Sequence, residues 1–309
     1  IHSLYAGGMT QPVIFQFVSN VGIEISEGQI HNILMNEASK YEELSRKILA
    51  TGLQEAPYVR VDDTGAKHKH RNGYCTHIGG EYFAYYKSTA SKSRSNFLNI
   101  LSQGQEGYRI NDAFIWHLYT AGIKDDILNA FEVYKGRSYK ARRGLNRLLN
   151  EMGLIGKKLR QTCLEAGFVG FIQEVILKPG QVLLSDRAGQ FCVFDHAACW
   201  VHMERPLRKI LASSPEVEIE ISNVRKAIWT LYGELAEASR TQKNQEEVKK
   251  KYTALLEMKV NSPGVRAVLD AFKTNREEML KALDHPGLPL HNNDSERDIR
   301  SMVKFRKVS

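Results

Sequence analysis

The chain has 309 residues, 42% hydrophobic and 25% charged, with a formal net charge of +8. That length holds two domains or one large domain with insertions. No run approaches the roughly 18 consecutive apolar residues of a membrane helix, and four unevenly spaced cysteines do not make a secreted disulfide framework, so a reducing cytosol is the default.

The basic surplus favours a polyanionic partner, of which nucleic acid is the commonest. The start, Ile1-His2-Ser3, lacks an initiator Met and the basic-then-apolar layout of a signal peptide, and reads as a fragment or a processed chain.

In chain order, residues 1 to about 55 read as helical. Val13, Phe15, Phe17, Val18 and Val21 form an apolar segment that Gly22 breaks. Ser26-Glu27-Gly28-Gln29 then fits a capping box opening a second helix, with Ile30, Ile33 and Leu34 on one face. Helix, glycine turn and capped helix form a helix-turn-helix layout; two simply packed helices would read the same way.

From residue 57 the pattern turns to strands. Tyr58-Val59-Arg60-Val61 is β-rich, Asn72-Gly73 is a strong hairpin signal, and Gly79-Gly80 marks a second turn before Glu81–Tyr86. These predict a three-stranded antiparallel meander, followed by a helix carrying Phe97, Leu98 and Leu101. Residues 104–178 read as mostly helical and carry a basic cluster of Lys135, Arg137, Lys140, Arg142, Arg143 and Arg147.

Gln181–Asp186 reads as a short buried strand ending on an acid. Residues 216–283 are strongly helical, with Ile221, Val224, Ile228, Leu231 and Leu235 on one face. His285-Pro286-Gly287 breaks that stretch, and Asn292-Asn293 can cap a last helix beginning near Asp294.

Three acids carry the candidate chemistry: Asp62 at the end of the first predicted strand, Asp186 at the end of a later one, and Glu296 in the first turn of the last helix. Carboxylates gathered at one sheet rim repel each other unless a cation sits between them. Oxygen-only ligands suit Mg²⁺ or Mn²⁺. Two such ions roughly 3.5–4 Å apart can activate a water or a 3′-hydroxyl and stabilise the leaving oxygen of a phosphoryl transfer. Taken singly, Asp62, Asp63 and Asp186 also fit turns, and Asn293 with Glu296 fits a capping box; spacing alone does not bring them together.

Several blocks, in order, resemble bacterial insertion-sequence transposases of the IS66 type. Val61-Asp62-Asp63-Thr64 resembles that family's Asp-Glu-Thr motif, with Asp63 where the family usually has Glu. Val182–Asp186 is similar to its second-aspartate strand, and Cys199-Trp200-Val201-His202 to its Cys-Trp-Ala-His segment, which ends in basic residues. His285-Pro286-Gly287, Asn292-Asn293 and Glu296-Arg297 match its closing signature, with Arg306-Lys307 beyond, and Gly22–Ser26 resembles the stretch ahead of the core.

The resemblance implies an α/β fold. Its RNase H-like mixed-sheet core would span residues 56–309, with helical insertions at about 104–178 and 211–284, behind a helix-turn-helix-like segment at 1–55. It implies Asp62, Asp186 and Glu296 as DDE catalytic residues and metal ligands, with two Mg²⁺ or Mn²⁺ ions when DNA is bound. It further implies nicking of transposon ends and strand transfer into target DNA by a homo-oligomer, in the bacterial cytoplasm at the nucleoid. Both gaps between the acids are longer than this pattern leads one to expect, hence the two insertions.

Arg297 is a candidate phosphate contact or a surface residue, and the Lys135–Arg147 cluster a DNA-backbone track or a solvated helix face. Cys199 and His202 could bind zinc with Cys192 and His196. Eleven residues is a crowded span for a structural site, and core packing of Cys199 with hydrogen bonding by His202 is the alternative. Lys67, His68, Lys69, His70 and Arg71 line the first hairpin, with His77 further along; an exposed polar face or a metal site both fit there. The competing functions are an inactive DNA-binding descendant or regulator, and a structure-selective nuclease on the same fold.

Overall fold

The structure, a computed structural model, describes residues 9–36, 38–68 and 71–308. Helices α1 (Gln11–Asn20), α2 (Glu27–Asn36) and α3 (Ala38–Glu55) come first. Gly22 turns the chain at φ +81°, a conformation that glycine adopts without steric cost. The capping box forms reciprocally: Gln29 N–H donates to Ser26 Oγ at 3.2 Å, and Ser26 N–H donates to Gln29 Oε1 at 2.8 Å.

The helix-turn-helix layout is therefore present, but residues 9–36 contain no Lys or Arg. Only Ile14 and Ile30 are buried on α1 and α2, while Val13, Phe17, Val21 and Ile33 are exposed. This face is apolar rather than phosphate-seeking.

Strands β1 (Tyr58–His68), β2 (Arg71–Gly79) and β3 (Ala84–Thr89) form the antiparallel meander. Two expectations are corrected here. Asn72-Gly73 is not the turn: Gly73 lies inside β2 opposite Ala66, and the paired register continues past it to His68↔Arg71. Gly73 is used for close approach, since a Cβ there would meet Ala66 O at 2.7 Å. Asp62 is likewise not at a strand end, because pairing with β2 carries β1 on to His68.

Helix α4 (Arg94–Leu101) buries Phe97, Leu98 and Leu101 as the periodicity predicts. The segment after it holds β4 (Tyr108–Arg109), α5 (Asp112–Thr120), α6 (Asp125–Glu132), β5 (Ser138–Tyr139), α7 (Arg142–Glu151) and α8 (Lys157–Phe171), ending in a π-type turn at Ile172–Ile176. It has its own core around Phe114, Phe131, Leu145 and Leu149.

The chain returns to the sheet with β6 (Val182–Ser185) and β7 (His196–Ala198), both parallel to β1, giving the order β3-β2-β1-β6-β7. Side-chain alternation divides the sheet into two faces. Val59, Val61 and Leu183 join the core under α4 and α8. Val182 and Leu184 join the core on the other side.

That second core belongs to α9 (Trp200–Glu204), a 3₁₀ turn (Arg205–Lys209), α10 (Pro215–Thr241), α11 (Gln245–Leu256), α12 (Pro263–Thr274) and α13 (Arg276–Leu280). Val224, Ile228, Leu231 and Leu235 of α10 are all buried, as their spacing requires. Trp200 is the hub: its indole N–H donates to Met279 O, and its rings meet Tyr232, Tyr252 and Phe272 edge-on. The last helix, α14 (Asn293–Val308), lies across β1 and β2. No helix among the described residues is long and apolar enough to cross a membrane.

Candidate active site

Strand parity sets the site. Val59 and Val61 point into one core, so Arg60 and Asp62 share the opposite face. β6 pairs with β1 as Val59↔Leu183 and Arg60↔Leu184. The same register carried two residues further sets Asp62 level with Asp186, just past the end of the parallel ladder. Asp186 lies just beyond the carboxyl end of β6, at the kind of rim where open sheets place their ligands, and Asp62 faces it from inside β1.

Asp186 leaves β6 through a tight turn. Its Oδ1 accepts Ala188 N–H at 2.8 Å, and Arg187 takes a left-handed φ of +68° with its N–H donating to Ser185 Oγ. Behind that turn, Ser185 Oγ lies 2.8 Å from His196 Nε2, and His196 Nδ1 lies 2.9 Å from Glu278 Oε2 of α13. Glu278 also pairs with Arg187 at 2.6 Å. Helix α13 thus braces the Asp186 turn.

Helix α14 brings Glu296 over this rim. Arg60, 5% exposed, pairs with Asp294 and donates to Gly80 O. Asn292 Nδ2 donates to Val61 O at 3.0 Å, and Tyr86 Oη donates to Asp298 O at 3.1 Å. The buried His77, opposite Asp62 in the β1–β2 register, has Nε2 3.2 Å from Asp298 Oδ2. From the other side, Trp200 N–H donates to Leu290 O, and Asn292 N–H donates to Cys199 Sγ at 3.2 Å. The Glu296 carboxylate does not act mainly as a cap: its Oε1 pairs with Arg205 Nη2 at 3.0 Å and His202 Nε2 at 3.2 Å.

The electrostatics tie these groups into one neighbourhood. Burial, opposed by the Asp63 N–H and helped by the charges of Asp186, Glu296 and Asp63, pushes the Asp62 carboxyl up to about 7. Burial and then Arg205 lower His202, while Asp186 and Glu296 oppose them. Asp63, on the other face, is raised by burial and held by Thr76 Oγ1 at 2.5 Å and Gln190 Nε2 at 2.8 Å.

Oxygen donors of this kind match Mg²⁺ or Mn²⁺. In donor chemistry Asp62, Asp186 and Glu296 fit such an ion. Yet no three His, Cys, Asp or Glu side chains among the described residues converge tightly enough to hold a metal. Glu296 is engaged with Arg205 and His202.

The other candidates fall as follows. Lys135 is tied to Asp112 and Glu132, and Arg137 stacks on Tyr134 at 4.7 Å. Arg137, Lys140, Arg142, Arg143 and Arg147 are all exposed, the last three on α7, which packs on α8 and β5 of the first insertion. Arg142 also lines a cleft of about 670 Å³ with Lys157 and Arg160. Arg297 is 73% exposed and pairs with Asp294.

The zinc reading loses its ligands. Both His196 nitrogens are engaged and Cys199 Sγ takes a backbone N–H, so Cys199 is packing in the core and His202 is bonding at the rim. Lys69 and His70 lie outside the described residues, and His77 is buried under α14 rather than on an exposed hairpin face.

Sequence reasoning passed over Arg60, Arg205 and Glu278. Arg60 was findable by strand parity with Asp62. Arg205 stood in the basic run after His202. Glu278 carried no signal, since its role depends on how α13 packs.

Residues 187–309 match the family model described as Transposase IS66 family. The chain is 35% identical over 271 residues to a protein of Sinorhizobium fredii (strain NBRC 101917 / NGR234) named "Uncharacterized protein y4jO", spanning 85% of this chain and 83% of that one. No solved structure matches.

Proposed function

Because the chain belongs to the IS66 family of transposases, we propose that it is the catalytic part of a DNA transposase that nicks transposon ends and transfers the freed 3′ end into target DNA. The observation that carries this reading is the parallel β1–β6 register, which sets Asp62 level with Asp186, together with the packing of α14, the helix of Glu296, across β1. The strand order, with β6 and β7 parallel to β1 and β2 antiparallel, supports an RNase H-like core over residues 56–309. In this reading residues 104–178 and 211–284 are insertions, and 1–55 is the helix-turn-helix-like segment.

Asp62, Asp186 and Glu296 are the ligands in this reading, and Mg²⁺ or Mn²⁺ ions supply an activated hydroxyl nucleophile and charge neutralisation at the leaving oxygen. The chain's own part is positional. The Asp186 turn and α14 hold carboxylates at a rim open to solvent, where a duplex can approach. Exposed Arg137, Lys140, Arg142, Arg143 and Arg147 add a basic track on the first insertion for the DNA backbone. Holding two ends for transfer calls for a homo-oligomer on DNA, acting at the nucleoid of a bacterial cytoplasm.

Asp186→Asn tests the assignment. It is expected to cut Mn²⁺-dependent cleavage of a transposon-end duplex by at least about a hundredfold with DNA affinity within about twofold of the parent. Loss of both together would assign Asp186 to folding instead. Recovery of a labelled end joined to target DNA, rather than cleavage alone, separates a transposase from a structure-selective nuclease.

A further inference from the structure

Glu296 Oε1 is shared by Arg205 and His202, and a guanidinium on that oxygen competes with any cation for the carboxylate. Arg205 opens the 3₁₀ turn Arg205–Lys209, directly after α9, and its side chain is 44% exposed. The neighbouring cation of that turn, Arg208, is committed inward: together with Arg225 it neutralises the fully buried Glu204. Among the described residues, the acidic partner of Arg205 is Glu296.

Arg205 therefore brings a half-exposed guanidinium to the carboxylate rim through its pairing with Glu296. A guanidinium is a planar fork that suits a phosphate as well as a carboxylate. Two divalent cations entering the rim would repel it, and a phosphodiester would attract it.

We propose that Arg205 is a DNA-phosphate ligand of this site, and that it reaches the phosphate by releasing Glu296. Without DNA, Arg205 competes with the metal for Glu296. With DNA, the phosphate takes the guanidinium and frees the carboxylate, so completion of the metal site is coupled to arrival of substrate. The coupling is reciprocal, so metal tightens DNA by the factor by which DNA tightens metal. This inference rests on the metal-site reading of Asp62, Asp186 and Glu296.

The test uses the full chain with two readouts that do not depend on turnover. Mn²⁺ affinity is measured without DNA from the electron-spin resonance signal of free Mn²⁺. Affinity for a random-sequence duplex is measured against salt in the absence of metal. Arg205→Gln is expected to tighten Mn²⁺ by roughly threefold, the worth of an exposed ion pair removed. It is also expected to weaken the duplex and flatten the slope of log affinity against log salt by about one. Arg205→Lys, which keeps the charge, is expected to keep the slope and to bind Mn²⁺ between the two.

Unchanged or weaker Mn²⁺ binding by Arg205→Gln, or an unchanged salt slope, overturns the proposal. If Arg205→Gln melts early, Arg205→Lys decides: Mn²⁺ binding no tighter than the parent's counts against it. Asp62→Asn serves as the control. If it binds Mn²⁺ like the parent, the metal-site reading itself fails, whatever Arg205 does.

Discussion

Asp62 is a residue whose ionised form costs the fold stability unless a cation is present. Its carboxyl is pushed up to about 7 from an ordinary value of 3.8, first by burial and then by Asp186 and Glu296. Between those two values the folded chain binds a proton that the unfolded chain does not, so metal-free stability falls as pH rises through this window and is level above it. His77 runs the other way. Burial lowers it from 6.5 to about 4, so its contribution rises with pH between those values.

Comparing the parent with Asp62→Asn cancels His77 and leaves Asp62. In urea unfolding with a chelator, the variant is expected to match the parent near pH 4. It is expected to be more stable by about 1–3 kcal/mol above pH 7. Adding Mg²⁺ at pH 8 should stabilise the parent and not the variant. A stability difference that ignores pH would mean that Asp62 is not strained by its neighbours.

At the scale of elements, the question is what holds α14 over β1. Arg60 is almost fully buried and pairs with Asp294, two residues ahead of Glu296. Removing one partner of a buried pair strands the other charge. Asp294→Ala is therefore expected to cost about 2–3 kcal/mol in urea unfolding and to reduce Mn²⁺-dependent cleavage by loosening Glu296. Unchanged stability would show that Asn292 and Tyr86 alone seat the helix.

Elements were also where the sequence could be read and misread. Long amphipathic patterns such as Val224 to Leu235 translate directly into a buried helix face. The Asn72-Gly73 signal failed because glycine serves two purposes, tight turns and close strand approach, and only the pairing of Gly73 with Ala66 tells which applies. The capping box at Ser26 was legible because all of its chemistry lies within four residues.

The molecule as a whole brings together segments that lie far apart in sequence. Local patterns identified the strand before Asp186 and the helix carrying Glu296, but not that Asp62 stands level with Asp186. That follows from the parallel β1–β6 register, a contact spanning more than a hundred residues. The supporting network was less legible still. Glu278, on α13, reaches Arg187 and His196 behind the Asp186 turn. Helix α13 thus supports the Asp186 turn.

Charge is likewise distributed by fold rather than by sequence. The net +8 is not carried by the apolar α1–α2 arm, whereas exposed arginines of α7 lie on the first insertion.

The most direct test of the account is anomalous diffraction from Mn²⁺ in crystals of the chain bound to a DNA end. The account predicts Mn²⁺ between Asp62 and Asp186, with Glu296 turned from Arg205 toward the ion. An ordered DNA end with no Mn²⁺ at those carboxylates, or with Mn²⁺ bound elsewhere, would contradict it.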